Sequence, residues 1–125
     1  MKYLLDTHVL LWWLADSPDL PKKLYQIISA PQHQIFVSSA STWEIVLKKS
    51  LGKLSAPDNL EEMLMVNRFI SLPIQVRHTV LLGALPAHHK DPFDRILVAQ
   101  AMAEQLTLLS VDPLIYAYDI HCIKE

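Results

Sequence analysis

Short apolar runs of strand length alternate with stretches of helical period along this chain, and that order restricts the fold more than any other feature. Tyr3 to Leu5 reads as a buried strand, followed by an apolar helix from about Thr7 to Ala15. After the turn-rich D-S-P-D-L-P segment, Pro21 takes the first position of a second helix, which stops before Pro31. Gln34 to Val37 is the second strand. Ser41-Thr42-Trp43-Glu44 matches a capping box, which puts Glu44 on the first turn of a helix ending near Gly52. Pro57 to about Phe69 carries a helical apolar face, Ile70 to Leu72 a short strand, and Gln75 to Leu85 another helix. Pro92 opens a further helix, Leu106 to Val111 is the clearest late strand, and a short helix around Leu114 precedes a last strand near His121 to Ile123. Such alternation implies an α/β fold of three layers, α/β/α, with a small, mostly parallel central sheet between helices.

Composition narrows the function classes. The 125 residues, 51% hydrophobic and 19% charged, suit a single domain spanning 1–125 and argue against disorder. Two glycines cannot write a G-x-G-x-x-G or Walker A loop, so phosphate cradles of those kinds are excluded. The single cysteine, Cys122, excludes an intrachain disulfide framework and a cysteine-based zinc finger. No signal-peptide pattern is present, and no apolar run approaches the ~20 residues that span a bilayer. The expectation is a cytoplasmic protein with no membrane attachment.

Carboxylates recur at one kind of place. Asp6 directly follows the first strand and Asp112 the late one, while Glu44 and Asp94 fall near the starts of helices, with Asp91 just ahead of Asp94. In a parallel sheet, strand C-termini and the following helix N-termini share one edge, where the ligand crevice lies. Each acid has a local reading as a helix cap or a dipole partner. That reading weakens when they are taken jointly, because the helix beginning at Lys22-Lys23 and the one near Gln75 open without acids. Gathered carboxylates repel one another, and their hard oxygens select Mg²⁺ or Mn²⁺. An ion so held activates water and stabilises an in-line phosphoryl displacement, so the pattern points to metal-dependent phosphodiester hydrolysis.

Four segments carry a resemblance. L-L-D-T-H-V-L-L-W-W-L, S-S-A-S-T-W-E-I-V-L-K, H-H-K-D-P-F-D-R-I-L-V-A-Q-A and L-L-S-V-D-P, in that order, resemble the PIN-domain nucleases, most closely the VapC-like toxins of toxin–antitoxin pairs in their D-P-F-D-R branch. The resemblance covers essentially the whole chain. It implies a PIN-like fold and a Mg²⁺- or Mn²⁺-dependent endoribonuclease acting on RNA. It also implies a cognate antitoxin as partner and a homodimer. Carried over, the catalytic and metal-binding acids are Asp6, Glu44, Asp94 and Asp112. Asp91 is an additional acid whose direct, water-mediated or capping role stays open. The last motif reads S-V-D-P where many members have Thr-x-Asp, and Ser110 still supplies a hydroxyl there.

Other residues have simpler roles to set beside the functional ones. Net charge is 11 − 13 = −2; without the four acids the remainder is 11 − 9 = +2, mildly favourable to RNA phosphates. Arg95, Lys48 and Ser110 are the candidate substrate-binding groups, against a solvated helix face for the lysine. His88 and His89 are adjacent and no H-x-x-x-H pair occurs, so zinc is not expected. Trp12, Trp13 and Trp43 can stack on bases, but an apolar helix favours packing for the first two. Competing readings are a catalytically silent PIN scaffold acting by RNA or protein binding, and a haloacid-dehalogenase-like phosphatase. The phosphatase needs an acid two residues after its nucleophile, where His8 stands. A signalling receiver needs an acidic pair after the first strand, where Asp6 is alone.

Overall fold

A computed structural model of the chain describes residues 1–123. The elements run β1 (Lys2–Leu5), α1 (Thr7–Leu14), α2 (Lys22–Ser29), β2 (Gln34–Ser38), α3 (Ser39–Ser50), α4 (Leu60–Val66), β3 (Ile70–Leu72), α5 (Val76–Leu82), α6 (Pro92–Glu104), β4 (Thr107–Leu109), α7 (Pro113–Tyr116) and β5 (Cys122–Ile123). The sheet order is β3-β2-β1-β4-β5, and every pairing is parallel. The sheet is thus parallel throughout, not only for the most part.

Side chains on β1 alternate between two cores, as the period of two demands. Tyr3 and Leu5 join Ile35, Val37 and Leu109 in one core, against Val9 and Leu10 of α1 and Leu24 and Ile28 of α2. Leu4 faces the other way, with Leu108 in register beside it, under Leu97, Val98 and Ala101 of α6. The sheet is therefore covered on both faces, which is why its strands are continuous apolar runs. Helix α3 contributes Ala40 to one core and Ile45 to the other. Among the described residues, no helix is long and apolar enough to cross a membrane.

Two local expectations are corrected. Helix α3 begins at Ser39, because β2 runs on to Ser38 and the Ser38 hydroxyl accepts the Ala40 amide at 3.0 Å. The cap therefore lies three residues earlier than the Ser41–Glu44 box. Glu44 sits in the second turn, and its carboxylate takes no part in capping the helix. Pro21 occupies the cap position of α2, not the first helical one.

The pairing of Leu4 with Leu108 at the centre of the sheet gives a stability prediction. Leu4 is wholly buried, so Leu4→Ala leaves a cavity and costs about 2–5 kcal/mol, read as a lower urea midpoint. Leu114→Ala, at a half-exposed site, changes stability by less than about 0.5 kcal/mol.

Candidate active site at the sheet edge

The chain moves outward from β1 through β2 to β3, then returns to lay β4 on the other side of β1. Strand order reverses between β1 and β4, and the crevice of a parallel sheet opens at that point, beyond the carboxyl ends of the strands. Asp6 and Ser110 are the first residues past those two ends. The Asp6 amide donates to the Leu109 carbonyl at 3.0 Å, and the Ser110 hydroxyl donates to Asp6 Oδ2 at 2.6 Å. The same hydroxyl accepts the Asp112 amide at 3.1 Å, and the Tyr116 hydroxyl donates to the Ser110 carbonyl at 2.9 Å. Asp6 occupies the cap position of α1 but its side chain makes no cap hydrogen bond. Burial pushes its carboxyl pKa up, with help from Asp112, while the Ser110 hydroxyl and His8 pull it down.

Two helices bring further acids to this edge. Glu44 of α3 is buried at 5% exposure; Oε2 takes the Lys48 ammonium at 2.5 Å, one helical turn on. Its other oxygen, Oε1, is buried with no hydrogen-bond partner among the described residues. Asp94 lies in the first turn of α6, and its pKa is pushed up to about 7. Burial is the main cause; repulsion from Asp6, Asp91 and Glu44 adds to it, and His89 opposes. Asp94 is thus where the fields of Asp6, Asp91 and Glu44 meet. Asp112 caps α7, with Oδ1 accepting the Leu114 amide at 2.9 Å.

His89 binds this cluster together. Its Nε2 lies 3.0 Å from Asp94 Oδ2 and 2.8 Å from Asp112 Oδ2, while its Nδ1 accepts the Asp91 amide at 3.1 Å. An accepting Nδ1 carries no proton, so the network assigns the proton to Nε2, which bridges the two carboxylates. Oxygens of Asp94 and Asp112 lie within 4.8 Å of each other and of a His89 ring nitrogen, so the two carboxylates are close enough to share a cation, while His89 in this tautomer acts as their hydrogen-bond donor.

The structure therefore brings Asp6, Glu44, Asp94 and Asp112 to one edge from four separate segments. Asp91 is close but committed: its Oδ1 accepts the amides of Phe93 and Asp94 and caps α6. Of the candidate substrate-binding groups, Lys48 pairs with Glu44, and Ser110 is fully buried with its proton given to Asp6. Arg95 Nη2 donates to the Leu82 and Leu85 carbonyls at 3.2 and 3.4 Å, pinning the end of α5. His89 is the residue that sequence reasoning set aside. Adjacent histidines rarely converge on one ion, and nothing local says that one of the pair folds back over the α6 cap.

The fold that carries these residues has known counterparts. The profile of the PIN-domain family matches residues 3–120. The chain is a PIN domain. Among solved structures, this PIN domain is similar to a chain of VapBC2 from Rickettsia felis bound to a promoter DNA fragment, with TM-score 0.73, 18% identity, and 98% of each chain covered. It is also similar to a chain of a toxin–antitoxin complex from Klebsiella pneumoniae, with TM-score 0.69, 18% identity, and 98% and 96% covered. DNA-bound VapBC from Salmonella typhimurium matches with TM-score 0.69 and 16% identity, over 98% and 97% of the two chains. A search of the curated proteins finds no match.

The raised pKa of Asp94 sets a pH dependence. An unfolded aspartate titrates near ~3.9, so the folded chain binds this proton more tightly. Asp94 accordingly favours the folded state most below about pH 4, and that contribution is lost as pH rises through about 7. In EDTA, Asp94→Asn gains thermal midpoint over the parent as pH is raised from about 5 to about 7.5. A difference that stays flat over that interval contradicts the account.

Proposed function

We propose that this PIN domain is a Mg²⁺- or Mn²⁺-dependent endoribonuclease and the toxin of a toxin–antitoxin pair. The observation that carries the reading is the gathering of Asp6, Glu44, Asp94 and Asp112 at the β1/β4 crevice, where burial first and then the charges of Asp6, Asp91 and Glu44 push the Asp94 carboxyl pKa up to about 7. A donor set of carboxylate oxygens fits a hard divalent cation. The buried Glu44 Oε1, without a partner among the described residues, fits one too, since such an oxygen is costly to leave unpaired. Asp6, Glu44, Asp94 and Asp112 would hold the ion, with Asp91 adding its charge from the α6 cap. When bound, the ion supplies an activated water and stabilises charge on the phosphate under attack.

The chain's own residues prepare that site. Ser110 fixes the Asp6 carboxylate and the turn that carries Asp112. His89 orients Asp94 and Asp112 through one shared N–H. Lys48 offsets the charge of Glu44, and its ammonium would be available to a substrate phosphate were Glu44 to hold an ion instead. Arg95 lies one residue beyond Asp94 and anchors the end of α5.

RNA is the proposed substrate, an antitoxin covering the acidic crevice the proposed partner, and a cytoplasmic homodimer the proposed form. The similar folds from Rickettsia felis, Klebsiella pneumoniae and Salmonella typhimurium come from toxin–antitoxin complexes, which supports that assignment. The four motifs, with D-P-F-D-R at the start of α6, support the VapC-like branch.

Purified chain cleaves single-stranded RNA with Mg²⁺ or Mn²⁺ and stops in EDTA. Asp6→Asn and Asp94→Asn each lower the rate by about a hundredfold or more, as losing an ion's charge stabilisation requires. Cleavage unaffected by EDTA or by these substitutions refutes the reading. No cleavage alongside tight RNA binding supports the silent scaffold instead. In bacteria, expression of the chain alone slows growth, and Asp6→Asn relieves the arrest; arrest that persists counts against catalysis as its cause.

A further inference from the structure

Beside the acids lies a surface that the reaction as described leaves unused. Trp43 is 60% exposed, although it directly precedes the buried Glu44 on α3. Its ring meets Phe93, which directly precedes Asp94 on α6, edge to face at 4.9 Å and 73°. The contact holds the indole in one orientation while leaving much of it uncovered. The two rings border a hollow of about 240 Å³ walled by Ile74, Leu82, Pro92 and Ile96, with almost no polar surface. Leu82 and Pro92 are also walls of a neighbouring hollow bordered by the exposed Lys90 and by Arg95. An aromatic shelf thus runs from the carboxylates on one side to two cations on the other.

Resting on the ribonuclease reading, we propose that Trp43 is a substrate-binding residue. An unstacked base of single-stranded RNA, next to the phosphate that is cut, stacks on its indole and enters the apolar hollow. Lys90 meets a backbone phosphate beyond it. Single-stranded RNA is recognised by splaying bases onto aromatic side chains, which is tolerant of sequence because every base has a π-face. Charge complementarity selects this occupant. A nucleotide chain presents phosphate, base and phosphate in turn, matching cation-holding acids, aromatic ring and lysine. An apolar protein segment makes no use of the lysine or of the ring's place one residue from Glu44.

The test measures binding of a labelled single-stranded RNA to full-length Asp6→Asn protein, which does not cut it, at fixed salt. Adding Trp43→Ala weakens binding by roughly five- to a hundredfold, the range for losing one stacked base. Adding Trp43→Phe instead keeps it close to the parent. Lys90→Ala lowers affinity modestly and flattens the salt dependence. Replacing the bases by abasic nucleotides abolishes the affinity difference that Trp43→Ala makes, and in the cleaving chain Trp43→Ala raises KM more than it lowers kcat. With Trp12 and Trp13 changed to Phe, the remaining indole fluorescence is quenched by RNA. Equal affinity of the Trp43→Ala protein, or no quenching, overturns the proposal while leaving the nuclease intact. A Trp43→Ala protein that changes its mass in solution but not its RNA affinity assigns the ring to a protein contact instead. If the unsubstituted chain neither binds nor cuts RNA, the ribonuclease reading falls and the shelf with it.

Discussion

Mutual repulsion among carboxylates held at one half-buried edge is the constraint that the rest of this molecule answers. Water would screen such charges if they were exposed, but Asp6 and Glu44 are buried at 3% and 5% exposure. Each acid is therefore given an internal partner. Ser110 donates to Asp6, Lys48 to Glu44, and His89 spans Asp94 and Asp112. Even so, Asp94 holds its proton up to about pH 7, and Glu44 Oε1 has no partner among the described residues. The offset is incomplete, and the remaining deficit is what a cation would fill.

The sheet makes this crowding possible without losing stability elsewhere. Its strands are buried on both faces, so the apolar cores above and below carry the fold while the polar groups collect at one rim. Helices α3 and α6 then enter the rim from positions set by the same cores, through Ile45 and Leu97. The two acid caps, at Asp91 and Asp112, orient α6 and α7 with carboxylates that also lend charge to the cluster. Capping and cation binding are opposed explanations for these residues in the sequence. Geometrically they are compatible, because one oxygen caps while the other faces the cluster, as Asp112 shows with Leu114 on Oδ1 and His89 on Oδ2.

Local signals mark most elements well. The short strand Ile70–Leu72 falls where its apolar run lies, and α6 starts at Pro92 behind an acidic cap. They misplace the start of α3, since Ser38 and Ser41 both precede helical residues and only the length of β2 decides which hydroxyl caps. They also leave Lys48 and Ser110 looking available. A lysine one turn after a glutamate and a serine beside a strand suit a substrate, until the folded chain shows their donors already used. His89 is invisible for a related reason: its partners stand 5 and 23 positions away along the chain.

The order of residue types along the chain determined the fold class, the segments that would carry the acids, and the hard-oxygen chemistry those acids share. These follow from period and composition, which act over a few residues. Which acids come together, which oxygen stays unpaired and which histidine joins them depended on the sheet order β3-β2-β1-β4-β5. That order sets β1 beside β4, so Asp6 and Ser110, 104 positions apart, share a proton. Contacts of that range are decided by how two cores pack against a sheet, and no local pattern encodes them.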